Sequence, residues 1–504
     1  MIAKRLYLFV GAAAAIVYIG ALWNRFALDD NPIVLFNPLF RAPGAMWKAF
    51  LTSYWPPEVG GGLYRPLAIA SYAVDWTIGH AGWFHGMNVL WHAGVSVAVA
   101  GLVRRWSGDR AALVAGLLFA VHPVHVEAVA NIVGRAELMA ALFALLAVYA
   151  ALGRDSVGWS TAALVAGLLS KENAAVVPGL VVWGWMLGFG RPSRRRMLAY
   201  AASWVAVAAA YAVTRHTILH PLARIENIAP VFVWASPWQI RLTAVAAFAD
   251  VARLLVFPLT LRVDYSPAER TLVTSPLDPR FVLGLLCVAA WGGLLALAWR
   301  RGRRVEAFGL GWIAVALLPV ANLVFPVGIL VAERTLYLPS AGLAVAVGAW
   351  LKDLAPDRLR VAVAALVVAG GLRTALRVPV WRDVNSVVLS ELEDSPRSYD
   401  GPAKMVVLYL NSHQPERALD AFQRATAIYD QTLPWLYVTG AEAAYKAGRT
   451  ALADSLLQRL ERACVRCEHY YQYEAGAALA RGDTAIADTL LARAKRSVAA
   501  RHDP

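Results

Sequence analysis

Residues 281–299 read FVLGLLCVAAWGGLLALAW, an unbroken apolar run with Arg280 before it and Arg300 and Arg301 after it. A helix of about 20 apolar residues crosses the hydrocarbon core of a bilayer. Similar runs recur to about residue 375, among them 6–22, 111–121 and 197–213. The 504-residue chain is 59% hydrophobic and only 16% charged. We therefore predict an all-α fold, a polytopic membrane helix bundle of about eleven spans.

The positive charge of the chain is concentrated between the apolar runs. Its net charge of +14 lies in short clusters that follow the positive-inside rule for cytoplasmic loops, a pattern unlike a nucleic-acid-binding surface. We therefore predict no nucleic-acid partner, and we place the loop at 23–83 and the C-terminal tail outside the cytoplasm. The run at 240–261 carries Arg241, Asp250 and Arg253, so we assign it to the interface or to packing against the bundle.

The first apolar run follows Lys4 and Arg5, as the core of a signal peptide does. No small-residue cleavage site closes it, and we expect a retained membrane anchor. The short loops and charge pattern predict a multi-pass protein of the cell inner membrane. An endoplasmic reticulum location would give the same charge pattern.

The tail beyond Trp381 is less apolar and contains a repeated unit. Gly448 and Gly482 are 34 residues apart, as are Ala453 and Ala487, and a weaker copy lies at 415–425. This is the period of tetratricopeptide repeats, although a non-repetitive bundle of helical hairpins is the alternative. We predict a transmembrane domain at 1–380 and a repeat domain at 381–504. Within the tail, Cys464 and Cys467 allow either a disulfide or half of a zinc site.

Asp29 and Asp30 follow the first predicted span and precede Asn31-Pro32. Adjacent carboxylates repel, so one of them gains proton affinity, and such a pair serves as a general base or as oxygen ligands for a divalent cation. The same four residues also form a good helix-terminating turn. The pair alone does not decide between these interpretations.

Other polar residues lie at the same predicted end of the spans. The histidines lack the spacing of a zinc-binding helix, which favours buried, hydrogen-bonded roles for them. The acid–base couples are either structural ion pairs or, if their cations converge, a cradle for a phosphate group. The site-lining candidates are His85, Asn88, His92, His122, His125 and Glu127, and the couples are Arg135 with Glu137, Lys171 with Glu172, and Glu333 with Arg334.

The order of these segments along the chain resembles the transmembrane and tetratricopeptide repeat-containing family of the GT-C glycosyltransferase superfamily. The run 119–138, with HPVHVEA at 122–128 and GRAEL at 134–138, is the most specific part of the match. The others are LDD at 28–30, YRPL at 64–67, FHGMNVLWH at 84–92, SKE at 170–172, DYS at 264–266 and AERTLYLPS at 332–340.

The resemblance implies a GT-C enzyme that transfers a hexose, typically mannose, from a polyprenyl-phosphate carrier to a hydroxyl of a protein or glycan acceptor at the outer face. It carries the catalytic Asp-Asp motif onto Asp29 and Asp30. We expect one of them to deprotonate the acceptor in an inverting transfer, while Arg135, Lys171 or Arg334 binds the departing phosphate. The short repeat array leaves the acceptor open.

Two non-enzymatic functions are the alternatives. A membrane scaffold would recruit partners through the repeats, without catalysis. A flippase should carry polar residues through the bilayer midplane and broken helices in matching halves, neither of which the sequence displays. The sequence assigns no cofactor and allows a divalent cation, Mg²⁺ or Mn²⁺, held by Asp29 and Asp30.

Overall fold

The computed structural model describes residues 2–57, 62–220, 228–265, 267–463 and 468–499, and every regular element in these ranges is a helix. Ser266, Cys464 and Cys467 lie outside the described residues. The predicted all-α fold is confirmed. The helices of the N-terminal part are α1 Ile2–Val17, α2 Ala45–Lys48, α3 Pro66–Trp76, α4 Ala81–Ala120, α5 Val126–Ala130, α6 Arg135–Arg154, α7 Val157–Ser170, α8 Val177–Met186, α9 Arg194–Leu219, α10 Pro237–Val256, α11 Pro279–Arg300, α12 Arg304–Leu317, α13 Tyr337–Leu351 and α14 Pro356–Arg377.

Within the described ranges, five helical segments are long and apolar enough to cross a membrane: 81–120, 132–154, 194–219, 279–300 and 356–381. The chain is therefore a multi-pass membrane protein. Each predicted span overlaps a helix, although several of these helices are shorter than a bilayer is thick. The side of the membrane on which each loop lies remains a prediction.

Helix α4 contains two of the predicted spans, joined at a sharp break. Gly108 has a φ of 77° inside the helix, a conformation that glycine adopts without the steric strain of a side chain. The imidazole of His92 lies 3.0 Å from the carbonyl oxygen of Ala120, so the two halves run antiparallel. The basic pair Arg104-Arg105 lies close to this reversal.

Helix α10 is the apolar run that the charge pattern excluded from the spans. It packs along α11, where the backbone of Val245 lies against Gly284 so closely that a side chain there would clash. Its polar residues bond to neighbouring loops. The guanidinium of Arg241 donates to the Val324 carbonyl at 3.0 Å, and Asp250 pairs with Arg270 at 2.6 Å. The structure thus agrees with packing against the bundle.

The C-terminal part consists of a connecting helix and three helix pairs within the described residues. The turn of each pair contains a left-handed residue, His413 (φ 54°), Gly448 (φ 72°) or Gly482 (φ 87°). His413 lies 35 residues before Gly448, one residue more than the spacing between Gly448 and Gly482. The helices are α15 Val384–Asp394, α16 Asp400–Asn411, α17 Pro415–Ile428, α18 Pro434–Lys446, α19 Thr450–Ala463, α20 Glu468–Ala480 and α21 Thr484–Ala499.

The two largest apolar cores among the described residues lie in different parts of the chain. The larger core belongs to the bundle and extends to Trp381 and Val387 of the connecting helix. The second core runs from Tyr399 to Ala494 through the helix pairs. The domain boundary between residues 380 and 381 and the tetratricopeptide assignment remain predictions.

Candidate active site

A cavity of about 410 Å³ lies where the loops at one end of the bundle meet the first helix pair. Its wall combines apolar residues with ionisable side chains from five separate segments. The polar and aromatic lining residues are Asp29, Glu127, Asn131, Asp264, Tyr265, Arg334, Trp381, Asp400, Lys404 and Trp435.

The structure separates the two predicted catalytic carboxylates. Asp29 is partly exposed and lines the cavity. Burial raises the pKa of its carboxyl, and the charges of Arg334 and Lys404 oppose that rise. Asp30 does not line the cavity and has no exposed surface. Its two carboxylate oxygens accept hydrogen bonds from the backbone N–H groups of Ala27 at 3.1 Å and Val133 at 2.9 Å.

Burial raises the pKa of Asp30 to about 7, although the two backbone donors act in the opposite direction. The position of Val133 depends on the tight turn before α6. The backbone of Ala128 lies so close to Gly134 that a side chain there would meet its carbonyl oxygen. Asp30 therefore ties the first loop to the loop before α6.

Arg334 is the cation whose charge acts most strongly on Asp29. Its backbone N–H donates to Glu127 at 2.8 Å, and its guanidinium pairs with the other oxygen of the same carboxylate. The negative charge of Glu127 raises the pKa of Arg334, which keeps it positively charged. The Arg334 side chain remains 31% exposed, whereas that of Glu127 is 3% exposed. The arginine is held in place and still has a face open to a ligand.

The acid–base couples predicted from adjacent residues are wrong, because each cation pairs with a carboxylate on another segment. Lys171 pairs with Glu137 instead of Glu172, and Arg334 pairs with Glu127 instead of Glu333. At the start of a helix, charged side chains one or two residues apart point in different directions. Partners on other helices therefore lie closer to each charge than its neighbour in the sequence does. Glu172 in turn bonds Arg65 at 3.0 Å.

Arg135 lies away from the cavity in a fully buried network. It pairs with Asp75, and its Nε donates to the side-chain oxygen of Asn88 at 2.8 Å. A further guanidinium nitrogen donates to the Phe84 carbonyl at 2.9 Å. Because Arg135 has no exposed surface, its guanidinium has no face open to the cavity. The phosphate-binding role of Arg135 remains a prediction, and these contacts do not favour it.

The predicted histidines pack between helices, in agreement with the favoured interpretation that they are buried and hydrogen-bonded. His85 lies 3.2 Å from the Arg25 carbonyl, and His92 bonds the Tyr337 hydroxyl at 2.7 Å. His122 lies 3.0 Å from the Leu255 carbonyl, and His125 lies 2.6 Å from the Ser340 hydroxyl. None of them lines the cavity.

Glu333 lies behind the cavity rather than in its wall. It accepts hydrogen bonds from the Arg262 backbone N–H at 2.6 Å and from the Tyr265 hydroxyl at 3.1 Å. Burial raises its pKa to about 8. This carboxyl fastens the loop at 261–265, whose Asp264 and Tyr265 line the cavity.

The cavity also contains residues that sequence reasoning did not select. Asp264 belongs to the DYS motif quoted above, so the resemblance marked it without giving it a role. Asp400, Lys404 and Trp435 come from the helix pairs and carried no local signal. Nothing in their spacing connects them to a loop more than 350 residues earlier in the chain.

A divalent cation on Asp29 and Asp30 is not favoured, because backbone amides occupy both oxygens of Asp30. Among the described residues, Asp264, Glu391 and Asp400 are the group with ligand atoms close enough for a metal, within 4.8 Å of one another. The Lys404 ammonium contacts two of these carboxylates and would compete with a metal ion.

Comparison with known proteins gives the following relatives. Protein O-mannosyl-transferase TMTC4 of Homo sapiens is 27% identical over 472 residues, covering 77% of this chain and 62% of the relative. Protein O-mannosyl-transferase TMTC3 of Mus musculus is 27% identical over 470 residues, covering 84% and 51%. Protein O-mannosyl-transferase F38B6.6 of Caenorhabditis elegans is 25% identical, covering 76% and 56%. These relatives confirm the predicted resemblance, and the chain spans less than two thirds of their length.

No family model matches the chain. Among solved structures, the archaeal oligosaccharyltransferase AglB from Archaeoglobus fulgidus, in complex with an inhibitory peptide and a dolichol-phosphate, is 16% identical. The superposition covers 96% of this chain and 72% of that chain, with a TM-score of 0.42.

Proposed function

We propose that this chain is an integral-membrane glycosyltransferase of GT-C type that transfers a hexose, with mannose favoured, from a polyprenyl-phosphate carrier to a hydroxyl of a protein acceptor. The reaction takes place at the extracytoplasmic end of the bundle. The names of the relatives support mannose and a protein acceptor. The observation that carries the proposal is that Asp29 and Arg334 line one cavity at the end of a membrane bundle.

The chemistry follows from the roles of these two side chains. The oxygen of the acceptor hydroxyl attacks C1 of the sugar, and the bond between C1 and the phosphate oxygen breaks. Asp29 takes the hydroxyl proton as general base, and the phosphate leaves with the bonding electron pair. A single displacement inverts the configuration at C1.

Arg334 stabilises the charge that develops on the departing phosphate. A guanidinium matches phosphate oxygens well, and a preorganised cation in a partly water-excluded site is more effective than one in bulk water. Glu127 orients the guanidinium, and part of the Arg334 side chain stays exposed. Lys171 is 12% exposed beside Glu137, and we assign it a supporting role in the electrostatics of the phosphate.

The location of the cavity suits a reaction between a lipid and a soluble group. A polyprenyl chain requires an apolar path, which the helix surfaces of the bundle provide. The acceptor reaches the cavity from the aqueous side, where Trp435 of the helix pairs and Trp381 contribute aromatic surface. Aromatic faces and carboxylates together suit a polar, partly apolar substrate such as a hexose.

The experiment is a product assay with the full chain, purified and reconstituted in lipid nanodiscs. Polyprenyl-phosphate mannose and polyprenyl-phosphate glucose, each radiolabelled in the sugar, are offered with serine- and threonine-containing peptides. The proposal predicts labelled peptide and free polyprenyl phosphate in equal amounts, with mannose preferred and the C1 configuration inverted. A chelator arm reports on a divalent cation. Peptide binding without labelled product from either donor would instead support the scaffold function.

A further inference from the structure

The first helix of the C-terminal helix pairs brings a lysine into the cavity. Lys404 of α16 lines the cavity together with Asp29 and Arg334. Its ammonium group donates to Asp400 at 2.5 Å and to Glu391 at 2.8 Å. The side chain of Lys404 is 24% exposed, and that of Glu391 is completely buried. The two carboxylates therefore fix the ammonium in position, and part of the Lys404 side chain lines the cavity.

The segment before α16 is fastened to a loop of the bundle. The hydroxyl of Ser398 donates to the Asp264 carboxylate at 2.6 Å, and the hydroxyl of Ser395 donates to the Asp264 carbonyl at 2.8 Å. The Tyr399 backbone N–H donates to the Pro267 carbonyl at 3.2 Å. These contacts hold α16 at a set position against the loop that itself lines the cavity. The helix pairs thus form part of the cavity wall.

We propose that Lys404 is a positioning residue for the transfer reaction, holding the carboxylate of Asp29 in its ionised form through the positive charge that α16 brings into the cavity. This inference rests on the proposed function, since it acts through the base assigned there. It gives the helix pairs a part in the chemistry besides any docking of an acceptor.

The charges around Asp29 come from three elements. Arg334 and Lys404 favour its ionised form, whereas Glu127 of α5 and Asp400 of α16 disfavour it. The neighbouring Asp30 and the cavity-lining Asp264 add further carboxyl groups. Arg334 is paired with Glu127, and Lys404 is paired with Asp400 and Glu391, so each cation acts on Asp29 together with its own carboxylate partners. Lys404 is the second cation on which Asp29 depends.

The test compares full-chain variants by the pH dependence of kcat/KM for the lipid donor. Lys404→Met removes the cation and leaves Asp400 and Glu391 unneutralised. The acid limb of the profile, where kcat/KM falls as Asp29 is protonated, should therefore move to higher pH by about one unit. At a given pH on that limb, kcat/KM should be about tenfold lower. Lys404→Arg should restore the wild-type limb. Asp400→Asn should move the limb to lower pH, and this opposite shift is not expected from a general loss of packing.

Lys446→Met is the matched control. Lys446 is also a largely buried lysine of the helix pairs, 9% exposed and paired with Glu442 and Asp483, but it does not line the cavity. Its acid limb should coincide with that of the wild type. An unchanged acid limb in both Lys404→Met and Asp400→Asn would overturn the inference, whatever happens to kcat.

A readout without catalysis separates this inference from the proposed function. A water-soluble carbodiimide with glycine ethyl ester modifies protonated carboxyl groups, and mass spectrometry follows the modification of Asp29 against pH. The midpoint should rise in Lys404→Met and fall in Asp400→Asn. If the midpoints shift in this way but the wild type transfers no sugar, the inference about Lys404 is retained and the proposed reaction is rejected. Identical midpoints in all variants would reject the inference even if transfer is observed.

Discussion

Arg334 and Glu127 meet at two points although 207 residues separate them in the chain. The backbone N–H of Arg334 donates to one carboxylate oxygen, and its guanidinium pairs with the other. A two-point contact restrains both the loop and the side chain. It holds the partly exposed Arg334 side chain in the wall of the cavity that Asp29 also lines.

Glu127→Gln is predicted to weaken donor binding. Glutamine retains one acceptor oxygen but loses the negative charge, so the guanidinium is no longer held in a single orientation. We expect the KM for the lipid donor to rise by about tenfold to a hundredfold, the range that follows from small misplacements of a substrate-binding group. Glu393→Gln, at an exposed glutamate of α15, is the control. A donor KM equal to that of the wild type in Glu127→Gln would contradict the role of the pair.

Arg135 and Asp75 are predicted to behave as one structural unit. Because both side chains are almost completely buried, removing either leaves an uncompensated charge, with an expected loss of about 3–5 kcal/mol of stability. Arg135→Met and Asp75→Asn should therefore lower the melting temperature together and leave the donor KM of the folded fraction unchanged. If Arg135 binds phosphate directly, Arg135→Met alone will raise the donor KM.

The sequence predicted the helices better than it predicted their contacts. Long apolar runs such as 281–299 identify membrane helices because the bilayer sets both length and composition. The break at Gly108 was not predicted; the sequence indicated only that positive charge separates neighbouring apolar runs. The partner of a charged residue depends on how helices are arranged in three dimensions, so neither Lys171 with Glu137 nor Arg334 with Glu127 was apparent.

The sequence selected Asp29, Glu127 and Arg334, which line the cavity, and the structure adds lining residues that it did not select. The Asp29-Asp30 motif located the first loop of the site, but a pair of adjacent carboxylates cannot reveal which of the two faces a cavity. That distinction depends on the backbone N–H of Val133, which belongs to another loop. Lys404 was missed because α16 reaches the cavity only through the docking of the helix pairs on the bundle.

Glu333 is predicted to make stability fall as the pH rises from about 4.5 to about 8. Burial raises its pKa from 4.5 to about 8, so between these values the unfolded chain releases a proton that the folded chain retains. The free energy of unfolding therefore decreases as pH rises through this window, and the loss is complete above it. Glu333→Gln stays neutral and can still accept from Arg262 and Tyr265. Its melting temperature should change less between about pH 6 and about pH 9 than that of the wild type.

The exposed Glu416 provides the control for this pH dependence, since its side chain is 60% exposed. Glu416→Gln should retain the wild-type difference between the two pH values. A Glu333→Gln profile that matches the wild type would show that Glu333 does not bind the proton assigned to it.

The central claim is that Asp29 is the base and Asp30 is a structural residue. The most direct measurement is the single-turnover rate of sugar transfer together with the melting temperature, for Asp29→Asn, Asp30→Asn and the control Asp357→Asn, which changes an exposed aspartate of α14. We predict that Asp29→Asn loses at least about a hundredfold in rate, as expected for a general base, with the wild-type melting temperature. Asp30→Asn should lower the melting temperature because one backbone N–H loses its acceptor, at a cost of about 1–3 kcal/mol. The single-turnover rate of the protein that remains folded should be within about tenfold of the wild-type rate. A wild-type rate in Asp29→Asn, or complete loss of transfer in Asp30→Asn without loss of stability, would contradict the assignment.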